Sequence, residues 1–456
     1  MSGCVMRGAP GSSARGPRTG LRTAQRAMNA PWEHRGRFAV KRRRPGCRNG
    51  SGAECRRLAG LVYHGELLCA AANGGRGRPL CAGAARSGND EGALSGRGGG
   101  LMKNQQFVMT GLGRMELQDC PMPVPAPGEV VIEIHYVGIC GSDLHFFRFG
   151  RIGSKVIDRP FVLGHECAGV VTAVGEGVSG FAPGDRVVPE PGVPCGSCAL
   201  CRSGKYNLCP DMRFLASPPN DGCLRRYMAY PARMVFHLPD AVPLIYGAMA
   251  EPLAVGLHAA RMGRAGLGKS AVILGGGPIG MMTLLACRAM GVTQVIVVDL
   301  FEKRLENAVR LGAQETVLAS GTDTVEAVLG RTGGAGADLV FETAGSPVTL
   351  RQACRCVARG GRIVLVGNQT EPVTLDLMPL MVREASIHPI YRYRNLFPVA
   401  IEALAAGRID LSLAEPSIFP FEQSEYAFQY TTEHGQSIIK SVIELVPENR
   451  TEVVSQ

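Results

Sequence analysis

The sequence predicts an α/β protein in which a barrel-like antiparallel β domain precedes a domain built on a doubly wound parallel sheet. Short strands of alternating apolar and polar residues, separated by glycine and proline turns, run from residue 130 to residue 188. Continuous apolar strands begin at residue 270 and alternate with helices. Alternation with a period of two indicates half-buried strands, whereas strand–helix alternation indicates a parallel sheet. We expect a β domain at residues 102–253, completed by residues 392–456, and a parallel-sheet domain at residues 254–391.

Composition and charge restrict the class of protein. A chain of 456 residues with 45% hydrophobic and 19% charged residues is typical of a soluble globular protein of two or three domains. It contains no run of about 18 apolar residues, so we predict no membrane span. The net charge of +10 comes from residues 1–101, which hold 18 Lys and Arg against 5 Asp and Glu. Residues 102–456 hold 31 Lys and Arg against 34 Asp and Glu, so that part of the chain is slightly acidic. We therefore expect no nucleic-acid partner for the folded body.

Residues 1–101 are predicted to be disordered or absent from the native protein. They are rich in Arg, Gly, Ala and Ser and show no sustained helical or strand periodicity. A transit peptide or a nucleic-acid-binding arm would also be basic, but the segment has no clear amphipathic helix or cleavage site, and its charges are not regularly interleaved with aromatic residues. Three glycines stand just before Met102, and consecutive glycine codons are G-rich, as a bacterial ribosome-binding site is. We hypothesise that Met102 is the true start, and an intact natively expressed species beginning at Met1 would contradict this.

Cysteine usage indicates metal binding rather than a disulfide framework. Of the 16 cysteines, 5 precede Met102 and 11 follow it. A chain of this size needs no disulfides for stability, and the later cysteines cluster at the spacings of metal ligands. We therefore expect a protein of the reducing cytoplasm.

Residues 140–166 carry three side chains that can bind a metal ion. Cys140 comes just after a predicted strand at residues 130–136, and His165 and Glu166 follow about two dozen residues later. Thiolate, imidazole and carboxylate are ligands that zinc accepts while a fourth position stays open for water or substrate. The stretch therefore predicts a catalytic zinc site.

A second group of cysteines predicts a structural zinc site. The chain places four cysteines at close spacing in a loop that has little apolar content of its own. Four thiolates fill all four tetrahedral positions of zinc and leave none for substrate. The four ligands are Cys195, Cys198, Cys201 and Cys209.

A glycine-rich turn predicts a dinucleotide site. The buried strand at Ser270–Leu274 leads directly into the turn, a helix follows, and the next strand ends on Asp299, 19 residues beyond the last glycine of the turn. In such a unit the glycines let the backbone approach a pyrophosphate, and the acid accepts hydrogen bonds from ribose hydroxyls. The charge of Asp299 favours NAD over NADP, although Arg304 on the following helix could accommodate a phosphate. The residues of the turn are Gly275, Gly277, Pro278, Ile279 and Gly280.

Together these motifs resemble a known family. The motif from Cys140 to His145 (Cys-Gly-Ser-Asp-x-His), the Gly-His-Glu sequence around His165, and Gly-Asp-Arg-Val starting at Gly184 are similar to the zinc-dependent medium-chain dehydrogenases. Within that family the chain most resembles sorbitol and xylitol dehydrogenases, from Met102 to about Val446. The resemblance implies a GroES-like catalytic domain, a Rossmann domain, zinc and NAD as cofactors, and a homodimer or homotetramer.

The resemblance also implies roles for further residues. Glu251 stands where polyol dehydrogenases carry a glutamate, so it competes with Glu166 for the role of third zinc ligand or water-mediated contact. Ser142 and His145 match a proton relay, and Phe146, in a Phe-Phe pair where relatives often have Tyr-Trp, is a candidate substrate contact. Arg392 and Tyr393 match an Arg-Tyr pair that contacts substrate hydroxyls, although a charge-rich segment of this kind is commonly a solvated edge strand.

The expected reaction is the oxidation of a secondary alcohol of a polyol to a ketose, with hydride transfer to NAD. Zinc would act as a Lewis acid that lowers the pKa of the bound hydroxyl. The loss of the Tyr-Trp pair leaves L-threonine and 2,3-butanediol as alternative substrates. A catalytically silent, nucleotide-binding structural protein is the alternative outside enzymology, and the intact ligands of both metal sites argue against it.

Overall fold

The computed structural model describes residues 103–447, so the predictions for residues 1–101 and for the start at Met102 lie outside the described residues. The strands are β1 (Asn104–Gly111), β2 (Arg114–Cys120), β3 (Glu129–Ile139), β4 (Arg151–Ile152), β5 (Lys155–Val156), β6 (Glu166–Val174), β7 (Arg186–Pro189), β8 (Gly192–Val193), β9 (Arg213–Phe214), β10 (Tyr227–Pro231), β11 (Val235–His237), β12 (Ser270–Leu274), β13 (Gln294–Asp299), β14 (Glu315–Leu318), β15 (Ala337–Glu342), β16 (Val357–Leu365), β17 (Ser386–Pro389), β18 (Ser417–Pro420) and β19 (Ser441–Glu444).

The helices connect these strands and flank the parallel sheet. The α-helices are α1 (Gly141–Phe149), α2 (Ala199–Arg202), α3 (Leu244–Ala248), α4 (Ala250–Gly263), α5 (Pro278–Ala289), α6 (Glu302–Arg310), α7 (Thr324–Arg331), α8 (Pro347–Cys356), α9 (Met378–Met381), α10 (Phe397–Ala405) and α11 (Ser424–His434). Short 3₁₀ helices lie at Tyr206–Leu208, Ala232–Met234, Ser412–Ala414 and Phe421–Gln423. Among the described residues no helix has the length and apolar character needed to cross a membrane.

The first sheet is mixed and largely antiparallel, and it has seven strands in the order β11-β7-β6-β3-β19-β18, with β10 also paired to β3. Strand β3 is its longest member and pairs with β6, β10 and β19, each antiparallel. The C-terminal strand β19 therefore lies beside β3, with Ser441 opposite Ile139. This pairing brings the start of β19 to the turn that carries Cys140.

The second sheet has six parallel strands in the order β14-β13-β12-β15-β16-β17. Its strands are buried on both faces, because Val272 and Ile296 pack into one apolar cluster while Ile273 and Val297 pack into another on the opposite face. The chain order reverses between β12 and β15, and ligands of doubly wound sheets bind beyond the carboxyl ends of the strands at such a switch point. The α/β fold class predicted from the sequence is confirmed.

Helices α4 and α5 pack closely on one face of the parallel sheet. At Gly256 in α4, an added Cβ atom would fall well inside van der Waals contact of the Met282 backbone, and it would lie 2.8 Å from the backbone nitrogen of Thr283. A backbone neighbour cannot move aside as a flexible side chain can. The absence of a side chain at Gly256 therefore sets the distance between the two helices.

We expect Gly256→Ala to lower the free energy of unfolding by about 1–3 kcal/mol, because the added methyl group forces α4 and α5 apart. Gly330→Ala is the matched control, since Gly330 is also helical and an added Cβ there meets nothing within 4 Å. The control should raise the free energy of unfolding by about 0.5–1 kcal/mol, the helix-propensity difference between glycine and alanine. Denaturant unfolding of both variants measures this, and equal effects would contradict the packing argument.

Candidate active site and metal centres

The turn that carries Cys140 is tied to the turn that carries His165. Cys140 follows β3 and precedes α1, and its backbone N–H donates to Asp143 Oδ2 at 3.1 Å. The other oxygen of Asp143 accepts from the backbone N–H of Gly164 at 3.2 Å and lies 3.4 Å from His165 Nδ1. Asp143 is fully buried. Sequence reasoning assigned no role to this residue, although it stands inside the Cys140–His145 motif.

Three donor atoms converge at this point. The Cys140 sulfur, a ring nitrogen of His165 and a carboxylate oxygen of Glu166 all lie within 4.8 Å of one another. Bond lengths of about 2.0–2.3 Å around a tetrahedral zinc place its ligands roughly 3.3–3.8 Å apart, so small side-chain adjustments complete the set. Three protein ligands leave one position of a tetrahedral ion open.

The electrostatics of this pocket also fit a cation. Burial lowers the pKa of His165, but the carboxylate of Asp143 and the sulfur of Cys140 raise it well above its ordinary value. Lys440 behaves in the same way, because burial opposes its charge while Glu166 and Cys140 raise its pKa. Carboxyl and sulfur groups thus favour positive charge in this buried pocket, as a zinc site requires.

Lys440 is a site residue that sequence reasoning missed. Its ammonium group is buried, forms an ion pair with Glu166, and donates to the carbonyl oxygen of Ile139 at 2.9 Å. The signal available in the sequence was a single lysine directly after two isoleucines, just before the strand at Ser441–Glu444. A lysine in that setting needs a buried anion, but the sequence does not say which one.

Glu251 lies close to the three donors without joining them. It occupies the first turn of α4 and is buried. Burial raises the pKa of Glu251 to about 7, an effect that His165 opposes and the Glu166 carboxylate adds to. The donor set within 4.8 Å contains Glu166 and not Glu251. The structure thus brings Glu166 into the donor set and leaves Glu251 beside it.

The four-cysteine loop forms a closed centre. The sulfur of Cys201 lies 3.4 Å from that of Cys198 and 3.9 Å from that of Cys195, and the sulfurs of Cys198 and Cys209 are 4.0 Å apart. Sulfurs around a tetrahedral zinc are separated by roughly 3.8 Å, whereas a disulfide bond is about 2.05 Å long. All four sulfurs lie within 4.8 Å of one another and fit the four positions of a tetrahedral zinc ion.

The glycine-rich turn and Asp299 also lie together. Asp299 is buried at the end of β13, and its Oδ2 accepts from the backbone N–H of Gly276 at 2.7 Å. Arg304 pairs with the same oxygen at 3.3 Å and donates to the carbonyl oxygen of Gly435 at 2.8 Å. Gly275 has a φ of +111°, and a Cβ atom on Gly280 would collide with the Gly275 carbonyl, so the turn requires both glycines.

A cleft of about 370 Å³ lies between the starts of α1 and α5, next to both sites. Its lining includes Gly141 at the start of α1, Pro278 at the start of α5, Arg304 and Lys440. Lys440 therefore faces the cleft and also pairs with Glu166 of the donor set. The helix start at Pro278 presents free backbone N–H groups, which favour a phosphate.

The segment of residues 391–395 forms another wall of the site. The Arg392 guanidinium lies 3.6 Å from the centre of the Phe214 ring, and that ring lies 5.5 Å from the ring of His165. Tyr393 is buried, and burial together with the nearby Glu251 raises its pKa well above the ordinary value. The segment follows the edge strand β17 as a loop, so Arg392 and Tyr393 do not lie on a solvated strand.

The remaining predicted residues lie on α1. Ser142 and His145 are partly exposed in its first turns, and the His145 ring lies 4.8 Å from that of Phe149. Phe146 is buried in the apolar cluster of the first sheet. Their roles in proton transfer and substrate contact stay predictions.

Comparison with known proteins places the chain among dehydrogenases. Residues 126–240 match the alcohol dehydrogenase GroES-like domain, and residues 278–406 match the zinc-binding dehydrogenase domain. An uncharacterized zinc-type alcohol dehydrogenase-like protein of Escherichia coli, YdjJ, is 44% identical over 346 residues, which cover 75% of this chain and 99% of that protein. A sorbitol dehydrogenase of Bacillus subtilis is 39% identical over 338 residues, 74% of this chain and 96% of that protein.

Solved structures agree with this placement. The crystal structure of an Escherichia coli oxidoreductase/dehydrogenase of unknown specificity superposes with a TM-score of 0.73 at 42% sequence identity. The match covers 76% of this chain and all of that chain.

The third zinc ligand can be identified by metal content. We propose Glu166, because it alone of the two acids lies in the donor set. We expect Glu166→Gln to retain about one zinc per chain after dialysis, since an amide oxygen is a weak ligand and Lys440 would lose its counter-charge. The matched Glu251→Gln variant should retain about two zinc ions, with a loss of affinity of about 10- to 100-fold at most. Elemental analysis measures the zinc content of both variants. One zinc per chain in Glu251→Gln and two in Glu166→Gln would identify Glu251 as the ligand.

Proposed function

Because the chain belongs to the zinc-binding alcohol dehydrogenase family, we propose that it oxidises a secondary alcohol of a polyol, of the sorbitol or xylitol type, to a ketose with NAD as the hydride acceptor. Membership of this family makes the protein an oxidoreductase. One observation supports hydride transfer at this site: the donor set of Cys140, His165 and Glu166 has room for a fourth ligand. Lys440, which pairs with Glu166, lines the same cleft as Arg304, the partner of Asp299.

In the reaction, the alcohol loses a hydride from its carbinol carbon and a proton from its hydroxyl group. Zinc, when bound, would act as a Lewis acid toward the hydroxyl oxygen, and the dinucleotide would accept the hydride. Cys140, His165 and Glu166 would hold the metal, and Asp143 keeps the His165 ring in place. Ser142 and His145 are proposed to pass the proton to solvent, a task that suits histidine because its ordinary pKa is near neutrality.

Substrate recognition is proposed for Arg392 and Tyr393. Arg392 lies on Phe214, next to the His165 ring, and Tyr393 is buried beside Glu251. A guanidinium and a phenol beside the donor set could hydrogen-bond to the hydroxyl groups of a polyol that do not react. The carboxylate of L-threonine would also suit Arg392, which keeps L-threonine as the second candidate substrate.

A substrate panel tests the proposed function. We expect NAD reduction with xylitol, sorbitol or galactitol to have a kcat/KM at least about tenfold above that with L-threonine or 2,3-butanediol. Cys140→Ala should abolish turnover and leave NADH binding nearly intact, because the metal and dinucleotide sites are separate. Preference for L-threonine or 2,3-butanediol would overturn the polyol assignment, and an inactive protein that binds NADH would indicate the silent nucleotide-binding alternative.

Coenzyme preference tests the role of Asp299. We expect Asp299→Asn to raise the ratio of NADP to NAD activity by roughly tenfold or more, because the variant removes the charge that repels a 2′-phosphate and releases Arg304 to bind it. The asparagine still offers an oxygen to the Gly276 N–H, so the turn keeps its support. Steady-state kinetics with both coenzymes measure the ratio, and an unchanged value would show that Asp299 does not face the ribose.

A homodimer or homotetramer is proposed for the assembly. Exposed apolar side chains at Leu377, Met378 and Met381 lie just before the edge strand β17 and would suit contact with a second copy. The mass of the purified protein in solution checks this, and a monomer at micromolar concentration would contradict it.

A further inference from the structure

We infer that the four-cysteine lobe, residues 195–209, positions the substrate-recognition segment, residues 391–395, and that Asn207 is the positioning residue. The inference rests on the proposed function, in which Arg392 and Tyr393 contact the hydroxyl groups of the substrate. It assigns the second metal centre a task beyond holding its own loop together: the lobe reaches across the fold and fixes the residues that recognise the polyol.

Asn207 makes the central connection. It lies in the 3₁₀ helix Tyr206–Leu208, two residues before the zinc-type ligand Cys209, and it is buried. Its Nδ2 donates to the carbonyl oxygen of Tyr391 at 2.8 Å, and its Oδ1 accepts from Arg394 at 3.2 Å. A single side-chain amide therefore hydrogen-bonds to the segment on both sides of Arg392 and Tyr393.

Two further contacts join the lobe to the same segment. The Tyr206 hydroxyl accepts from the backbone N–H of Asn395 at 2.8 Å and donates to Glu190 at 2.9 Å. The side chain of Asn395 donates to the carbonyl oxygen of Gly204 at 3.3 Å. Gly204, Tyr206 and Asn207 of the lobe thus all bond to the segment, so the position of the segment depends on the lobe as a folded unit.

The backbone of the segment needs such support. Arg392 has a φ of +54° and Asn395 a φ of +52°, in the left-handed region that side chains disfavour. Residues keep such conformations when the surrounding structure holds them there. Asn207 hydrogen-bonds to the neighbours of these positions, Tyr391 and Arg394, and Tyr206 hydrogen-bonds to Asn395 itself, so the lobe stabilises both conformations.

The position of the segment is transmitted to the reacting centre through one aromatic ring. The Arg392 guanidinium stacks on Phe214 at 3.6 Å, and Phe214 lies 5.5 Å from the ring of His165. A shift of the segment therefore changes the distance between Arg392 and the donor set of Cys140, His165 and Glu166. The donor set itself would stay in place, because Asp143 and Lys440 hold it from other elements.

The experiment is the Asn207→Ala variant of the full-length, zinc-loaded enzyme. We expect the KM for xylitol or sorbitol to rise by about three- to tenfold with kcat changed less than about threefold, because remote hydroxyl groups are misplaced while the reacting centre is intact. The KM for NAD and the zinc content should equal those of the wild type. Amide hydrogen exchange in residues 391–395 should become faster.

Asn307→Ala is the matched control. Asn307 is equally buried, its Nδ2 lies 3.4 Å from the carbonyl oxygen of Ser437, and its Oδ1 accepts from Arg310 at 3.0 Å, so it forms the same pair of contacts elsewhere in the fold. We expect a similar loss of thermal stability from both variants, but a higher polyol KM only from Asn207→Ala. Equal polyol KM values for the two variants would overturn the inference.

The outcomes separate this inference from the proposed function. If the wild type oxidises polyols but Asn207→Ala has an unchanged polyol KM, the proposed function stands and the positioning role is refuted. If the wild type oxidises no polyol, the proposed function fails, and hydrogen exchange then decides: unchanged protection of residues 391–395 in Asn207→Ala refutes the positioning role, and lost protection supports it.

Discussion

The candidate active site depends on a single buried carboxylate. Asp143 accepts hydrogen bonds from the backbone of Cys140 and of Gly164 and lies 3.4 Å from the ring of His165. These groups come from two turns that are distant in the chain, and a buried charge of this kind is stable only where several donors surround it. Asp143 thus converts two independent turns into one rigid donor set.

The charges around Asp143 come from several elements of the fold. The pocket collects acids from three elements, namely Asp143 on α1, Glu166 on β6 and Glu251 on α4. Lys440 neutralises part of this charge from beside β19, the strand that the C-terminal part of the described chain adds to β3. A metal ion at the donor set would neutralise more of it. The antiparallel pairing of β19 with β3 is therefore an electrostatic requirement of the site as well as a fold contact.

Local patterns in the sequence were sufficient for the cofactor unit but not for the long-range contacts. The strand Ser270–Leu274, the glycine-rich turn and the end of the next strand at Asp299 were predicted as observed, because strand, turn and helix follow one another within 30 residues. Lys440 contacts Ile139 across 301 residues, and Asn207 contacts Tyr391 across 184. Neither residue belongs to a periodic pattern, so only the fold identifies its partner. Likewise, spacing could not separate Glu166 from Glu251, because their distances to Cys140 depend on how β6 and α4 pack.

The two metal centres differ in what they control. The donor set of Cys140, His165 and Glu166 keeps one position open, so its geometry governs the reacting hydroxyl group. The four-cysteine lobe is closed to substrate, yet its bonds from Asn207 and Tyr206 hold the residues on either side of Arg392 and Tyr393. A polyol carries one reacting hydroxyl and several others, and discrimination between similar polyols depends on the others. The four-cysteine lobe is therefore positioned to affect substrate specificity, while the donor set of Cys140, His165 and Glu166 determines the chemistry of the reacting hydroxyl group.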